Sequence, residues 1–204
     1  ISYPEITEMQ TKAIVLASIK LMGEGFKPKP EIMIPLVSSV TEFLHQANLI
    51  KKIISDIENK NKIKINCQIG TMIELPRACL IADEIAKHAD FFSFGTNDLT
   101  QTTYGFSRDD IGRFIQIYFD ENILKFDPFK TIDQEGVGEL IKEGVKRGRK
   151  QKEGIKIGIC GEHGGDPQSI EFCNKLGIDY VSCSPFRIPI ANLSAAQATL
   201  KTKK

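Results

Sequence analysis

Residues 91–101 read FFSFGTNDLTQ, and this stretch is the strongest indication of the fold class in the sequence. It begins as an apolar run that predicts a buried strand. It then changes to polar residues, in the order Gly95, Thr96, Asn97 and Asp98. A strand that delivers polar groups from its C-terminal end is the way in which parallel α/β proteins build a binding site. A turn of this composition also suits the N-cap of a helix, so the stretch taken alone leaves both interpretations open.

Two further predicted strands end in the same way. Residues 70–74 read GTMIE, and residues 160–165 read CGEHGG. Because the carboxyl ends of parallel strands lie at one edge of a sheet, we expect the polar groups of these three segments to converge.

The composition is that of a globular protein with no general affinity for polyanions. Of the 204 residues, 41% are hydrophobic and 26% are charged, and the net charge of +1 predicts neither nucleic-acid nor membrane-surface binding. No apolar run approaches the roughly 20 residues that span a bilayer, and no signal peptide is expected. The five cysteines form no Cys-x-x-Cys pair, which favours reduced thiols in a cytoplasmic compartment.

The apolar pattern alternates between strands and helices along the chain. It predicts strands at residues 31–37, 63–69, 91–94, 155–160 and 178–183, with helices between them and a functional loop within residues 100–129. Ser2 with Glu5 and Ser39 with Glu42 have the spacing of capping boxes, and Asp166 before Pro167 is expected to cap a further helix. Pro76 is expected to open a helix that reaches His88. We therefore predict one α/β domain over residues 1–204, with a parallel sheet of five strands, too few to close an eight-stranded barrel.

Two carboxylates follow different predicted strands and are the candidate metal ligands. Glu74 and Asp98 would leave positions open for substrate oxygens, an arrangement that suits Mg²⁺. Gly95, Thr96 and Asn97 offer donors that could hold a carboxylate or phosphate beside the metal. The alternative is that Glu74 only forms a surface ion pair with Arg77.

Cys160 differs from the other cysteines because it lies at the end of its strand, where a thiol would face the site. Cys67, Cys79, Cys173 and Cys183 are interpreted as packed thiols. His163 follows closely and leaves a catalytic Cys–His pair open, although a neutral thiol acting as an acid fits better beside two metal-binding carboxylates. His45 and His88 are interpreted as structural or exposed.

Several long segments resemble one known family. They are EIMIPLV, GTMIELPRA, FFSFGTNDLTQTTYGFSRDD, DPF, DQEGVG, GICGEHGG and DYVSCSPFRIPIA. These segments resemble the C-terminal phosphoenolpyruvate/pyruvate-binding TIM barrel of the pyruvate, phosphate dikinase family. The resemblance implies that Glu74 and Asp98 bind Mg²⁺ and that Cys160 is the proton donor to the enolate carbon. It also implies that the substrate, pyruvate or phosphoenolpyruvate, is contacted by Glu74, Gly95, Thr96, Asn97 and Asp98.

The resemblance also implies what lies elsewhere. The dikinases convert ATP, pyruvate and phosphate reversibly into AMP, phosphoenolpyruvate and diphosphate. Their nucleotide-binding domain, phosphohistidine domain and early barrel strands have no counterpart in this sequence. The resemblance thus implies a distal barrel portion that works with a phosphohistidine domain in a homodimer and is inactive alone.

Alternatives to a dikinase part are a barrel of the phosphoenolpyruvate synthase or phosphotransferase enzyme I type, or a non-catalytic dimerisation or binding module. Because residues 31–37 and 178–183 would be open sheet edges, we expect the isolated chain to be weakly stable or to self-associate. The missing strands are also expected to remove the inner-layer side chains that Ile32, Ile34, Ile157 and Val181 would otherwise meet.

Overall fold

The computed structural model describes residues 1–202, and its centre is a parallel sheet of five strands. The strands are β1 (Glu31–Ile34), β2 (Gln68–Ile73), β3 (Phe91–Gly95), β4 (Lys156–Cys160) and β5 (Tyr180–Val181). The helices are α1 (Pro4–Gly23), α2 (Val40–Asn61), α3 (Pro76–Leu80), α4 (Ala82–Ala86), α5 (Thr96–Tyr104), α6 (Ile115–Asp120), α7 (Val137–Gln151), α8 (Pro167–Lys175) and α9 (Ile188–Thr202). Single 3₁₀ turns occur at Ile111–Arg113, Glu162–Gly165 and Pro185–Arg187.

The order of the strands is that of a barrel arc. They lie side by side as β1-β2-β3-β4-β5, and every adjacent pair is parallel. A doubly wound sheet reverses its strand order at a switch point, whereas a (β/α)₈ barrel adds each strand next to the previous one. The predicted α/β class and partial barrel are therefore confirmed. The pairing also sets Gly95 opposite Cys160, which brings the ends of β3 and β4 together.

One face of the sheet is covered by helices and carries the core. Phe92 and Phe94 of β3 project towards α7, where Gly148 and Gly144 allow the rings to approach. A Cβ atom added at Gly144 would lie 2.9 Å from the Phe94 ring, so a larger residue would push helix and sheet apart. Ile32, Ile34 and Ile157 are also buried, between 0% and 8% exposed, with Ile157 beneath α7 at Gly148.

The other face corresponds to the inside of a barrel and is more polar. Met72, Glu74 and Gly95 lie together on this face. Lys156 of β4 also donates to Glu31 of β1, with 2.8 Å between Nζ and Oε1. We expected inner-layer partners for the isoleucines of β1 and β4 and for Val181. That expectation is wrong for Ile32, Ile34 and Ile157, because alternation along a strand turns them towards the helices.

Several predicted boundaries are wrong for identifiable reasons. The second strand begins at Gln68 instead of residue 63, because Glu58 Oε1 accepts from the Ile65 amide at 2.8 Å and keeps it out of the ladder. The expected helix 76–88 divides into α3 and α4 at Ile81. The last strand is only two residues long. Ser2 does not cap α1. The N-cap residue of this helix is Tyr3, whose side chain makes no capping hydrogen bond.

Other local predictions are confirmed. Ser39 and Glu42 form the full capping box of α2, and Asp166 caps α8 by accepting from the Ser169 amide at 2.9 Å. The predicted loop within residues 100–129 begins with the last turn of α5 and otherwise holds only a 3₁₀ turn and α6. A cluster of rings orders it: Tyr104, Phe106, Phe114 and Tyr118. Among residues 1–202, no helix is long and apolar enough to cross a membrane.

Candidate active site

Glu74 and Asp98 meet at the carboxyl edge of the sheet, one just after β2 and the other in the first turn of α5. Glu74 is only 2% exposed, and its Oε1 accepts from the Leu36 amide at 2.6 Å. Leu36 holds a left-handed backbone, with φ of 53°, in the turn after β1. Three consecutive strand ends, those of β1, β2 and β3, thus contribute to the position of one carboxylate pair.

The proximity of the two acids changes the protonation of Glu74. Burial, followed by the hydrogen bond and the negative charge of Asp98, raises the pKa of Glu74 from 4.5 to about 7, although the Leu36 amide opposes this shift. Two carboxylates that are this close share a proton or a cation, because two adjacent negative charges repel each other unless a positive charge neutralises them. Among residues 1–202, no group of three or more acidic, histidine or cysteine side chains is placed to hold a metal.

The donor set therefore consists of a carboxylate pair, and its chemistry fits Mg²⁺. This ion takes oxygen ligands and binds through one or two carboxylates while keeping waters or substrate oxygens. The alternative pairing of Glu74 with Arg77 is not formed, since the Arg77 side chain is exposed and donates to the Ser38 carbonyl oxygen.

The segment from Gly95 to Asp98 joins β3 directly to α5 and packs against the end of β4. The Thr96 hydroxyl donates to the Cys160 carbonyl oxygen at 2.8 Å, and Asn97 Oδ1 accepts from the Glu162 amide at 3.3 Å. Gly95 is required by space, because a Cβ atom there would collide with the Glu74 carboxylate and lie 2.6 Å from Met72 Sδ. The glycine at position 95 therefore leaves the space that the Glu74 carboxylate occupies beside the start of α5.

Cys160 is the half-buried thiol at this edge, and its Sγ lies 3.7 Å from the Phe94 carbonyl oxygen. Burial raises its pKa, and the charges of Glu74 and Asp98 raise it further, while the Ser93 hydroxyl acts in the opposite direction. The side chain is therefore a neutral thiol at neutral pH. Such a group can give up a proton, which is the role of a general acid.

His163 lies beside this edge but does not form a pair with the thiol. It is fully buried, its Nδ1 lies 2.7 Å from Thr96 Oγ1, and its Nε2 lies 2.9 Å from the Pro128 carbonyl oxygen. Burial lowers its pKa, which favours the neutral ring. Because the Pro128 carbonyl can only accept, Nε2 of the neutral ring carries the proton, and Nδ1 is an acceptor. The Thr96 hydroxyl has one proton, so Nδ1 and the Cys160 carbonyl oxygen compete to accept it.

Sequence reasoning missed Leu36, Gln101 and Arg108. Gln101 Nε2 donates to Asp98 Oδ1 at 2.8 Å, and Arg108 forms an ion pair with Glu162 at 3.1 Å. The spacing of Asp98 and Gln101 by three residues on one helix was a usable signal. The contacts of Leu36 and Arg108 have no local signal, because each joins segments that are distant along the chain.

The comparisons with known proteins agree on one family. A model described as "PEP-utilising enzyme, PEP-binding domain" matches residues 1–200. Similar proteins include pyruvate, phosphate dikinase 2 of Zea mays, 57% identical over 97% of this chain, and pyruvate, phosphate dikinase 1 of Oryza sativa subsp. japonica, 56% identical over 98%. The chain spans only 22% and 21% of those two proteins.

A solved structure gives independent evidence on the fold alone. A citrate lyase from Burkholderia xenovorans superposes with a TM-score of 0.52 at 16% identity, covering 81% of this chain and 48% of that one. Because the family model extends over almost every residue described, the chain belongs to the PEP-utilising enzyme family and corresponds to its PEP-binding domain.

Proposed function

We propose that the chain is the part of a pyruvate, phosphate dikinase that binds pyruvate or phosphoenolpyruvate and handles the enolate. The observation that carries the proposal is the convergence of Glu74, Asp98 and Cys160 at the carboxyl edge of three adjacent strands. The dikinase names of the relatives at 53–57% identity support this choice within the family.

Glu74 and Asp98 are proposed to hold Mg²⁺, which, when bound, stabilises negative charge on the enolate oxygen as a Lewis acid. Together with Gly95, Thr96 and Asn97, they are also proposed to contact the substrate. The backbone amides at the start of α5 suit the substrate carboxylate, because the N-terminus of a helix favours anions.

Cys160 is proposed to move the proton at C3. Towards pyruvate, the thiol gives its proton to C3 of the enolate, forming a C–H bond and leaving a thiolate. Towards phosphoenolpyruvate, the thiolate takes a methyl proton and the electron pair passes to the enolate oxygen. A thiol whose pKa is raised suits the first direction, since it stays protonated until the carbon acceptor arrives.

The rest of the reaction is proposed to depend on parts of the enzyme outside this chain. We infer that residues 1–204 form one portion of a barrel domain, which receives a phosphoryl group from a phosphohistidine domain within a homodimer. Nucleotide binding then belongs to another domain. We also propose a cytoplasmic location on the basis of the free cysteines, although several relatives are named chloroplastic.

The test is calorimetric titration with Mg²⁺ and oxalate, an enolate mimic, in a full-length enzyme that carries this segment. Glu74→Gln and Asp98→Asn should each abolish Mg²⁺-dependent oxalate binding. Glu84→Gln is the matched control, because Glu84 is exposed on α4 and forms an ion pair with Lys87. Unchanged binding in either site variant would contradict the proposal.

A further inference from the structure

The amide side chain of Gln101 connects a candidate metal ligand to a loop. Its Nε2 donates to Asp98 Oδ1 at 2.8 Å, and its Oε1 accepts from the Arg108 amide at 2.7 Å. The two partners fix the orientation of the amide, because a carboxylate needs a donor and a backbone N–H needs an acceptor. A side chain of the same length without both functions cannot replace it.

The connection continues across the edge of the sheet and returns to its start. Arg108 Nη2 lies 3.1 Å from Glu162 Oε1, and the Glu162 amide donates to Asn97 Oδ1 at 3.3 Å. Asn97 is the neighbour of Asp98 in sequence. The hydrogen-bonded ring therefore joins three segments: the start of α5, the loop at residue 108, and the turn that follows Cys160.

The members of this ring differ in strength. The Arg108–Glu162 pair is 44% and 61% exposed, so solvent screens it and it contributes little. The bond from Gln101 to the Asp98 carboxylate is charge-assisted and half-buried, which makes it the firmer one. Gln101 donates to Oδ1 of Asp98, whereas the other carboxylate oxygen, Oδ2, receives no hydrogen bond from Gln101.

We propose that Gln101 is a positioning residue for Asp98, which directs the second carboxylate oxygen towards the cation and couples its orientation to the loop at Arg108. The inference rests on the proposed function, since it concerns binding of Mg²⁺ at the same pair. It extends that function by assigning the orientation of one ligand to a residue that does not contact the cation. Partners of this kind commonly alter metal affinity by roughly 10- to 100-fold.

The first experiment removes both hydrogen bonds. Gln101→Met keeps the length of the side chain, and we expect it to raise the Mg²⁺ dissociation constant at least about tenfold in the calorimetric titration with oxalate, in the full-length enzyme. Gln116→Met is the matched control, because Gln116 makes the same type of bond to Asp120, at 2.9 Å, on the exposed α6. The control should bind Mg²⁺ as the wild type does.

A second variant removes the same hydrogen bonds with a different neutral side chain. Gln101→Leu adds no charge beside Asp98, and it can neither donate to Asp98 nor accept from the Arg108 amide. We expect it to raise the Mg²⁺ dissociation constant at least about tenfold, as Gln101→Met does. Wild-type affinity in a folded Gln101→Leu would overturn the proposal, even if Gln101→Met failed to fold. A wild-type enzyme without Mg²⁺-dependent oxalate binding would instead refute the proposed function, and this inference with it.

Discussion

Raising the pH in the absence of divalent cations should destabilise the protein through Glu74. Its pKa in the folded chain is about 7, against 4.5 for an ordinary glutamate, so the folded state holds the proton more tightly than the unfolded state does. The resulting stability is present in full below the unfolded pKa of 4.5. It is lost as the pH rises through about 7.

The size of the effect follows from the two pKa values. One pKa unit corresponds to 1.36 kcal/mol, so the interval from 4.5 to about 7 amounts to about 3 kcal/mol in the free energy of unfolding. About 2 to 3 kcal/mol of this falls between pH 5 and pH 8. Glu74 is 2% exposed, so solvent screens this contribution little.

The assay is urea unfolding of the chelator-treated chain at pH 5 and pH 8, followed by circular dichroism, for the wild type and Glu74→Gln. The glutamine is neutral at both pH values, and it can keep the bond from the Leu36 amide while donating to Asp98. We expect the wild type to lose about 2 to 3 kcal/mol more than the variant over this interval, and Mg²⁺ to restore part of the loss at pH 8.

Titrating groups that do not interact with Glu74 contribute equally to both proteins and cancel in the comparison. Glu84→Gln, on the exposed surface of α4, should retain the wild-type pH dependence. If the wild type and Glu74→Gln lose the same stability between pH 5 and pH 8, the coupling of Glu74 to burial and to Asp98 is refuted.

Three further outcomes are expected. Cys160→Ala should stop proton exchange at the pyruvate methyl group while retaining Mg²⁺–oxalate binding. Cys173→Ala should only lower the stability of the fold, because Cys173 is a packed thiol that is 2% exposed. Equal exchange rates in the two variants would contradict the role of Cys160. Gly95→Ala should abolish Mg²⁺–oxalate binding, because the added methyl group would crowd the Glu74 carboxylate. Gly23→Ala is the control, since a Cβ at that position meets nothing within 4 Å. Calorimetric titration of both variants measures the effect, and equal binding in the two would contradict the prediction. The isolated chain should self-associate through the unpaired edges of β1 and β5, and sedimentation showing a monodisperse monomer, with both edges as protected from hydrogen exchange as β3, would contradict this.

Much of the site was accessible from the sequence because its chemistry is encoded in short segments. The change from an apolar run to polar residues at Gly95, and the acid that follows the preceding strand, identified Glu74 and Asp98 as neighbours at one sheet edge. The position of Cys160 at a strand end separated it from the packed thiols. These patterns are local, so they depend on side-chain period and turn chemistry and need no knowledge of distant contacts.

The assignment of roles to single hydrogen bonds was not accessible in the same way. His163 was a candidate partner for the thiol, yet it bonds to Thr96 and Pro128, 67 and 35 residues away along the chain. The start of β2 was misplaced because a side chain of α2, Glu58, takes the Ile65 amide. Pairings of this kind depend on which segments fold next to each other, and a local pattern does not contain that information.

Local patterns in the sequence were therefore sufficient to predict the α/β class, the capping of α2 and α8, and the residue types available at the strand ends, since each follows from local propensity and period. The folded chain was needed to find that Glu74 is buried against Asp98, that Gly95 pairs with Cys160, and that Gln101 joins Asp98 to the loop at Arg108. Burial, strand register and shared protons are properties of contacts between distant segments. They exist only once the parallel strands have brought their carboxyl ends together.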